Sequence, residues 1–598
     1  MMKTFFDYPL DVKSIISKSE IIKKDLLSTE DIFLEKKIAI LGGSTTSELT
    51  NFLDLFLLAN GIKGVFYESD YGKYLEEALF DNDRLQEFKP DIVYIHTTNK
   101  NIDAFADFDA TEEEVNSLLA DEIEKYLSIW KALEPLNTII IQNNFDFPQY
   151  RTLGNLDAID FRGRVYFINQ LNFNLHKAVQ NTKNVYLNDL NFISSKVGLT
   201  SWYDDRLWHL YKYAASFSGL IHIAKNIQNI VSALFGKTKK NLVLDLDNTL
   251  WGGVIGDDGL EKIKIGEDGG SGESFLGFQK ELKRLKDSGI VLTVASKNEE
   301  SNALLGLSHE EGALKPEDFG VIKANWDPKD QNIDEIAREI NLGLDSFIFL
   351  DDNPAERALV SESLPMVSVP DIGNDPNNYF KYIDENGFFE RVSLAKEDTD
   401  RSKYYNENKQ RDDAKSKFQS QDAFLESLQM HGKISLFDDT HIERITQLIN
   451  KTNQFNLTTK RYSLAEVKKI KDDSKFIAFY GRLEDKFGDN GLISVLIAKK
   501  DINTIHIDTW LMSCRVLKRG MEFAMFNALL DEAKKLKINT IVGRFVPTEK
   551  NMMVKNLYSD LDFNLISKSD QEDIYSLDVI SSINAKHFIE IDKNFTET

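Results

Sequence analysis

The chain has 598 residues, more than one hydrophobic core can organise, so we expect three or four domains. Its 42% hydrophobic and 28% charged residues, with only 11 prolines, exclude a mainly disordered or fibrous protein. A formal net charge of -24 argues against broad binding to nucleic acid or to an anionic membrane, because such partners require clustered Lys and Arg.

The single cysteine, Cys514, cannot form an internal disulfide and leaves no cysteine-based zinc site. The first residues lack a sustained apolar stretch, and no stretch reaches the roughly 18 apolar residues that span a bilayer. We therefore expect a cytoplasmic protein without a membrane span.

Strand-like apolar runs alternate with helical patterns in the first 390 residues, which predicts parallel sheets. The runs up to about Phe235 are KKIAILGG, IKGVFYES, DIVYIHT, NTIIIQN and KNVYLND. A second series follows: NLVLDLD, GIVLTVAS, DFGVIKA and SFIFLDD. We predict one α/β domain at 1–235 and another at 236–390.

A charged stretch from about Leu394 to Glu426 is typical of a solvated helical connector, and we predict a linker at 391–430. The remaining segment, 431–598, alternates strand-like runs such as GLISVLIAKK and TIHIDTWLMS with helical patterns. This predicts an α+β domain with a largely sequential sheet.

Polar residues follow the predicted strands of the second domain, where the reacting groups of open α/β sheets gather. In chain order they are Asp245, Asp247, Ser296, Lys329, Asp351 and Asp352. A lone Asp-x-Asp is more often a strand cap or turn. The complete ordered set favours a reaction centre.

This ordered set resembles the haloacid dehalogenase (HAD) superfamily of phosphotransferases. The resemblance implies that Asp245 is the nucleophile that forms an aspartyl phosphate, and that Asp247 is the general acid and base. It implies that Ser296 binds a phosphoryl oxygen and that Lys329 neutralises charge.

The same resemblance implies a Mg²⁺ site formed by Asp245, the backbone carbonyl of Asp247, and Asp351 or Asp352. Fewer than about fifty residues separate Asp247 from Ser296, which leaves no room for a large cap domain. A poorly covered site admits a large substrate, although neighbouring domains could supply a lid.

Longer strings, among them DLDNTLWGGVIGDDG, ASKN, NWDPKDQNI and KTNQFNLTTKRYS, resemble the FkbH-like branch (subfamily IIIC) of the superfamily. This resemblance implies an SGNH-hydrolase-like domain before the HAD domain and an acetyltransferase-like (GNAT) domain after it. It also implies transfer of a glyceryl unit from 1,3-bisphosphoglycerate to an acyl carrier protein, with dephosphorylation, in secondary-metabolite assembly; other members occur near surface-polysaccharide genes.

Two features depart from that pattern. A thioester intermediate needs a cysteine nucleophile, yet Leu246 stands between the two aspartates and Cys514 lies in the last domain. An acidic carrier would need local basic contacts, for which the candidates are Lys460, Arg461, Lys518 and Arg519; simple solvent exposure of these four residues is the favoured interpretation. Direct transfer and plain phosphate hydrolysis both stay open.

The segment GGSTTSEL resembles the SGNH nucleophile block, which would make Ser44 a nucleophile and Asn99 an oxyanion donor. A serine nucleophile needs a base held by a carboxylate, but Asp205 and His209 are one position too far apart for the family's Asp-x-x-His. Helix N-capping by Ser and Thr is the favoured alternative.

A GNAT domain holds the acyl-CoA pyrophosphate with a fingerprint of Arg/Gln-x-x-Gly-x-Gly/Ala at a helix N-terminus. Around Gly520 the matching positions are Leu517 and Glu522, so acetyl transfer is disfavoured and a binding module preferred. The main hypothesis is thus a Mg²⁺-dependent HAD-type phosphatase or phosphotransferase acting on a phosphorylated small molecule; the alternative is a non-catalytic multidomain scaffold.

Overall fold

The computed structural model describes residues 5–28, 33–267, 269–394, 407–408, 411, 414–415, 418, 420–548 and 550–594. The chain forms two compact units, Met1–Leu234 and Phe235–Thr598. None of the helices in the described ranges is both long and apolar enough to cross a bilayer. Most of the predicted linker at 391–430 lies outside the described residues.

The first unit is built on a five-stranded parallel sheet with the order β2-β1-β3-β4-β5. Its strands are β1 Leu34–Gly42, β2 Ile62–Glu68, β3 Ile92–His96, β4 Ile139–Asn143 and β5 Val185–Asn188. Its helices are α1 Val12–Leu27, α2 Ser47–Ala59, α3 Tyr74–Leu79, α4 Asp83–Phe88, α5 Glu112–Leu133, α6 Arg164–Asn181, α7 Leu190–Val197, α8 Leu199–Trp202, α9 Asp205–Tyr211 and α10 Phe217–Leu234.

The second unit begins with a four-stranded parallel sheet with the order β8-β7-β6-β9. Its strands are β6 Asn241–Leu244, β7 Val291–Ser296, β8 Phe319–Ala324 and β9 Phe347–Leu350. Its helices are α11 Ile255–Asp258, α12 Gly270–Asp287, α13 Glu300–Leu307, α14 Lys329–Glu339, α15 Pro354–Ser363 and α16 Pro376–Asn386. The prediction of two parallel sheets is confirmed.

The central strand β6 is apolar because both faces of the sheet are covered. Leu242 and Leu244 pack into one apolar cluster with α12 residues such as Phe278, and Val243 points into a second cluster with α14 residues such as Ile333. Successive side chains of a strand point to opposite faces, so β6 is fixed from both sides. The chain beyond its carboxyl end is thereby held in place.

The rest of the second unit contains a larger, mostly antiparallel sheet with the path β16-β17-β15-β14-β13-β12-β10-β18 among the described residues. Its strands are β10 Met430–Leu436, β11 Phe455–Asn456, β12 Phe476–Asp485, β13 Gly488–Lys500, β14 Thr504–Met512, β15 Thr540–Phe545, β16 Asn564–Lys568, β17 Asp573–Asp578 and β18 Ile589–Asn594. Its helices are α17 Gln421–Ser427, α18 Ile442–Lys451, α19 Leu464–Asp472, α20 Met521–Lys535 and α21 Leu557–Asp560.

A short segment, 455–458, fills the gap where β14 and β15 diverge. The two strands pair in parallel only over 504–506 and 540–542. Beyond that point β11 pairs with the end of β14, and the N–H of Leu457 donates to the carbonyl of Trp510 at 3.1 Å. The carbonyl of Leu457 accepts from the N–H of Val546 at 2.8 Å. The segment therefore bridges both strands.

Candidate active site

Three carboxylates lie together at the carboxyl edge of the four-stranded sheet. Asp245 directly follows β6, and Asp351 and Asp352 directly follow the neighbouring strand β9. One oxygen of each lies within 4.8 Å of the other two, a spacing at which the three acids could share one metal ion. Asp351 is fully buried and Asp245 is 6% exposed, so mutual repulsion is poorly screened.

Lys329 supplies the cation that this acidic cluster needs. It is the first residue of α14, and its ammonium group contacts both Asp245, at 2.8 Å, and Asp351. Burial works against the charged ammonium, but the two carboxylates outweigh it and raise the pKa of Lys329. The lysine is 3% exposed, so the ion pairs lie inside the protein.

The two acids after β9 differ in their environment. Burial, and next the charge of Asp245, raise the pKa of Asp351 to about 6, although Lys329 opposes the shift. Burial and Asp245 also raise the pKa of Asp352, whose main-chain N–H donates to the hydroxyl of Thr249 at 3.2 Å. The sequence left open which of these two acids joins Asp245, and the structure brings both to it.

Asp247 does not belong to the carboxylate cluster, because its side chain is held elsewhere. One oxygen accepts from the indole N–H of Trp251 at 2.8 Å and from the N–H of Ile255 at 3.1 Å. The other accepts from the amide of Asn298 at 3.0 Å. Burial raises the pKa of Asp247 despite these donors, which favours its protonated form. Trp251 and Asn298 occur in the quoted strings DLDNTLWGG and ASKN, but their contact with Asp247 was not predicted.

Ser296 ends β7, the strand on the other side of β6, and is buried at the same sheet edge. A hairpin lies next to Asp247, formed by mutual hydrogen bonds between Gly252 and Lys264 of 3.0 and 2.8 Å. Gly253 has a φ of +96°, which an L side chain rarely adopts, so glycine is required at this turn. The site is thus bordered by a short hairpin and α11.

The second candidate site, in the first unit, is not assembled in the same way. Ser44 is buried, and among the described residues its hydroxyl has no hydrogen-bond partner. The Asn99 side chain donates to the Tyr203 hydroxyl at 2.7 Å. His209 is exposed on α9, and no hydrogen bond of the described residues joins it to Ser44. The predicted N-capping is wrong, because Thr46 precedes α2 without a side-chain cap and its hydroxyl donates to Glu68.

In the last domain, two of the four candidate basic contacts for an acidic carrier are bound inside the domain. Arg519 is 7% exposed, and its guanidinium donates to Asp485 at 3.1 Å. Arg461 donates to the carbonyl of Thr452 at 2.8 Å, and Lys460 pairs with Asp508. Arg461 and Arg519 are bound within the domain, which corrects the expectation for these two, whereas Lys460 and Lys518 are exposed at the surface.

The parallel sheet, with its acids and lysine at the carboxyl edge, has the arrangement of a HAD-like phosphatase domain. The chain is similar to a crystal structure of the N-terminal part of the protein BF1531 from Bacteroides fragilis, which contains a phosphatase domain complexed with Mg. The two share 30% identity, and the match covers 63% of this chain and 99% of that chain with a TM-score of 0.58. The protein therefore belongs to the same family as this Bacteroides protein.

Residues 37–232 match the family described as FkbH, N-terminal domain. The SGNH resemblance of this region stays a prediction. No curated protein matches the chain.

Two acetyltransferases of known structure also show similarity. The ribosomal-protein-S18-alanine N-acetyltransferase of Escherichia coli is 14% identical, covering 26% of this chain and 97% of that chain with a TM-score of 0.21. The N-acetyltransferase PseH of Campylobacter jejuni is 17% identical, covering 25% and 98% with a TM-score of 0.18. Similarities at this level support no conclusion about activity.

Proposed function

We propose that the domain at 236–390 is a Mg²⁺-dependent phosphatase or phosphotransferase that acts through a phosphorylated Asp245. The observation that carries this proposal is the convergence of Asp245, Lys329, Asp351 and Asp352 at one buried sheet edge. A cluster that served only to cap strands would not need three close carboxylates, because unneutralised buried acids destabilise a fold.

In the proposed reaction an oxygen of Asp245 attacks phosphorus, the new O–P bond forms, and the bond to the leaving oxygen breaks. Asp247 gives its proton to the leaving oxygen and then takes a proton from water or from an acceptor hydroxyl. The oxygen of that molecule attacks phosphorus, and the new O–P bond forms as the bond between phosphorus and Asp245 breaks. The raised pKa of Asp247 supports the first of these steps. Its bonds to Trp251 and Asn298 hold the carboxyl in a single orientation.

The remaining groups bind the phosphoryl oxygens. Lys329 already contacts Asp245 and lies where it can balance the charge of an incoming phosphate. Ser296 is placed across β6 from the β9 acids and would donate a hydrogen bond to a phosphoryl oxygen. These roles require only side chains that the fold already places at this edge.

The carboxylates of Asp245, Asp351 and Asp352 would hold the metal ion, together with the main-chain carbonyl of Asp247. All-oxygen donor sets suit Mg²⁺, and the Bacteroides structure contains Mg at its phosphatase domain. The ion would neutralise negative charge that a phosphate brings to an already acidic site.

The sharper form of the proposal is transfer of a glyceryl unit from 1,3-bisphosphoglycerate to an acyl carrier protein. Cys514 lines a cleft together with Asp345 and Ser346, which precede β9, whereas the acids follow the carboxyl end of that strand. An enzyme thioester on Cys514 is therefore not part of the proposal, and transfer would be direct.

The test is phosphate release by the full-length protein from a panel of phosphate esters and acyl phosphates. We expect release that requires Mg²⁺ and is lost in Asp245→Asn, while Asp334→Asn, on the exposed side of α14, behaves as wild type. Full activity of Asp245→Asn would refute the mechanism. Absence of release from every compound would favour the scaffold. Mass spectrometry of an added phosphopantetheinyl carrier separates transfer from hydrolysis.

A further inference from the structure

The loop between β8 and α14 presents a large aromatic side chain to solvent at the carboxyl edge of the four-stranded sheet. Trp326 is 68% exposed, although it lies only three positions before the buried Lys329. Among the described residues of 236–390 it is the most exposed large apolar side chain. Aromatic side chains beside a reaction centre commonly contact a ligand, so the position of this ring relative to the site deserves to be traced through its bonds.

The loop that carries Trp326 is fixed at both ends. The N–H of Asn325 donates to the carbonyl of Ser296, at the end of β7, at 3.2 Å. The side chains of Asn325 and Asn332 exchange two hydrogen bonds, of 3.1 and 2.8 Å, which join the loop to α14. The N–H of Asp327 donates to the side-chain oxygen of Asn325 at 3.0 Å. The backbone on either side of Trp326 is therefore held in place.

The indole ring is held as well. Its N–H donates to one carboxylate oxygen of Glu299 at 2.9 Å, which ties the ring to the segment that follows β7. Glu299 directly follows Asn298, and the Asn298 side chain donates to Asp247 at 3.0 Å. The ring thus lies beside the residue that orients the proposed general acid. A hydrogen bond at the edge of the ring limits its motion and leaves its faces open.

The proposed reaction determines which part of a substrate would lie near this ring. Asp247 gives its proton to the leaving oxygen, so the organic group attached to that oxygen begins next to Asp247. On one side of Asp247 the hydrogen-bonded indole of Trp251 is fully buried and leaves no room. On the other side Glu299 and Trp326 are exposed. An organic group would therefore extend toward Trp326.

We propose that Trp326 and Glu299 bind the ring of a cyclic sugar phosphate. The C–H groups of one sugar face would pack on the indole, and a sugar hydroxyl would donate to Glu299. The second carboxylate oxygen of Glu299 has no hydrogen-bond partner among the described residues and is available for this contact. A linear three-carbon chain would cover only part of the indole. The inference rests on the proposed phosphatase activity, because the phosphate group would lie at Asp245.

The test compares phosphate release by the full-length protein, with Mg²⁺, from the 6-phosphates of glucose, mannose and galactose, from glycerol 3-phosphate and from methyl phosphate. Trp326→Ala should lower kcat/KM for the best hexose phosphate about ten- to hundredfold, the range for loss of a stacked aromatic ring. The effect should lie mainly in KM, because the contact is the same in the ground state and the transition state. Methyl phosphate has no group that reaches the ring, so its release should change less than about threefold.

Two further variants separate this contact from a general disturbance. Met366→Ala removes another exposed apolar side chain of the same domain, before the segment that pairs with β9, and should change release from none of the substrates. Glu299→Gln keeps an acceptor for the indole N–H and removes the charge. It should lower kcat/KM about five- to tenfold for the hexose phosphate, because a hydroxyl binds a charged acceptor more strongly than a neutral one.

Fluorine NMR of protein labelled with 5-fluorotryptophan measures the contact without turnover. The chain has 6 tryptophans, and the signal of Trp326 is the one that disappears in Trp326→Phe. The hexose phosphate should shift this signal saturably, and methyl phosphate should not.

The two proposals fail in different ways. If phosphate is released but Trp326→Ala affects methyl phosphate as much as the hexose phosphate, or if the Trp326 signal does not move, the sugar contact is overturned and the phosphatase proposal stands. A saturable shift without release from any substrate would refute the phosphatase proposal and keep the sugar contact. Neither a shift nor release would overturn both.

Discussion

Replacing Lys329 by methionine should strongly destabilise the four-stranded sheet. The substitution keeps an unbranched side chain of similar length in a position that is 3% exposed, but removes the cation between Asp245 and Asp351. Three carboxylates whose oxygens lie within 4.8 Å would then face one another without a counter-charge.

The expected cost is about 3–5 kcal/mol, the usual effect of removing one partner from a buried ion pair. Lys323→Met is the matched control, because Lys323 on β8 pairs with Glu335 and Glu339 at the surface. Exposed pairs of this kind contribute about 0–1 kcal/mol. The same chemical change should therefore have very different effects at the two positions.

Native-state hydrogen exchange of the full-length protein in EDTA measures this difference at the β6 amides. Exchange should accelerate by about two to three and a half orders of magnitude in Lys329→Met, and by less than about fivefold in Lys323→Met. Added Mg²⁺ should recover part of the lost protection, because it replaces the missing positive charge. If β6 amides of Lys329→Met exchange within about fivefold of wild type in EDTA, the lysine does not hold the acids together.

Three further outcomes are expected. Asn298→Ala removes a donor to Asp247 and should lower kcat about 10–100-fold with little change in KM; an unaltered kcat would show that this hydrogen bond does not orient the acid. Gly253→Ala should lower the free energy of unfolding by about 1–2 kcal/mol, measured by thermal denaturation, because φ is +96° and the new Cβ would lie 2.9 Å from Asp258. Gly256→Ala is the control and should leave the stability unchanged, because its new Cβ would meet no atom of the described residues nearer than 3.8 Å. A fluorophosphonate should leave Ser44 unlabelled, since no histidine in the described part of the chain is hydrogen-bonded to it, and stoichiometric labelling would restore the esterase hypothesis.

The parts of the site that follow short strands could be predicted from the sequence. An apolar run that ends in carboxylates identifies both a buried strand and its carboxyl end. Parallel strands bring their carboxyl ends to one edge of the sheet, so Asp245, Ser296 and Asp351 lie at the same edge. Lys329 belonged to the same ordered set, and only its role came from the resemblance. Its place at the start of α14 explains how a residue far along the chain reaches Asp245.

Contacts between side chains on separate segments could not be predicted. Asn298 lies 51 positions from Asp247, and Arg519 is 34 from Asp485, so no local period marks either pair. The sequence does not specify which of many possible acceptors an arginine binds. Solvent exposure was therefore the favoured interpretation of Arg519 and Arg461, and only the structure shows their hydrogen-bond partners. The two-residue strand β11 is likewise too short to give an alternating pattern.

Because Leu457 bridges β14 and β15, it limits which further strands can pair with the larger sheet at this place. Its N–H and its carbonyl are both used, one toward β14 and the other toward the residue after β15, and Asn551 donates to the carbonyl of Asn456 next to it at 2.9 Å. An extended peptide that paired with β14 and β15 where they diverge would compete with segment 455–458, which is part of the same chain and already forms these backbone hydrogen bonds. Binding of such a peptide would require segment 455–458 to dissociate first. The observed binding rate would then be set by that dissociation and would not depend on the peptide concentration.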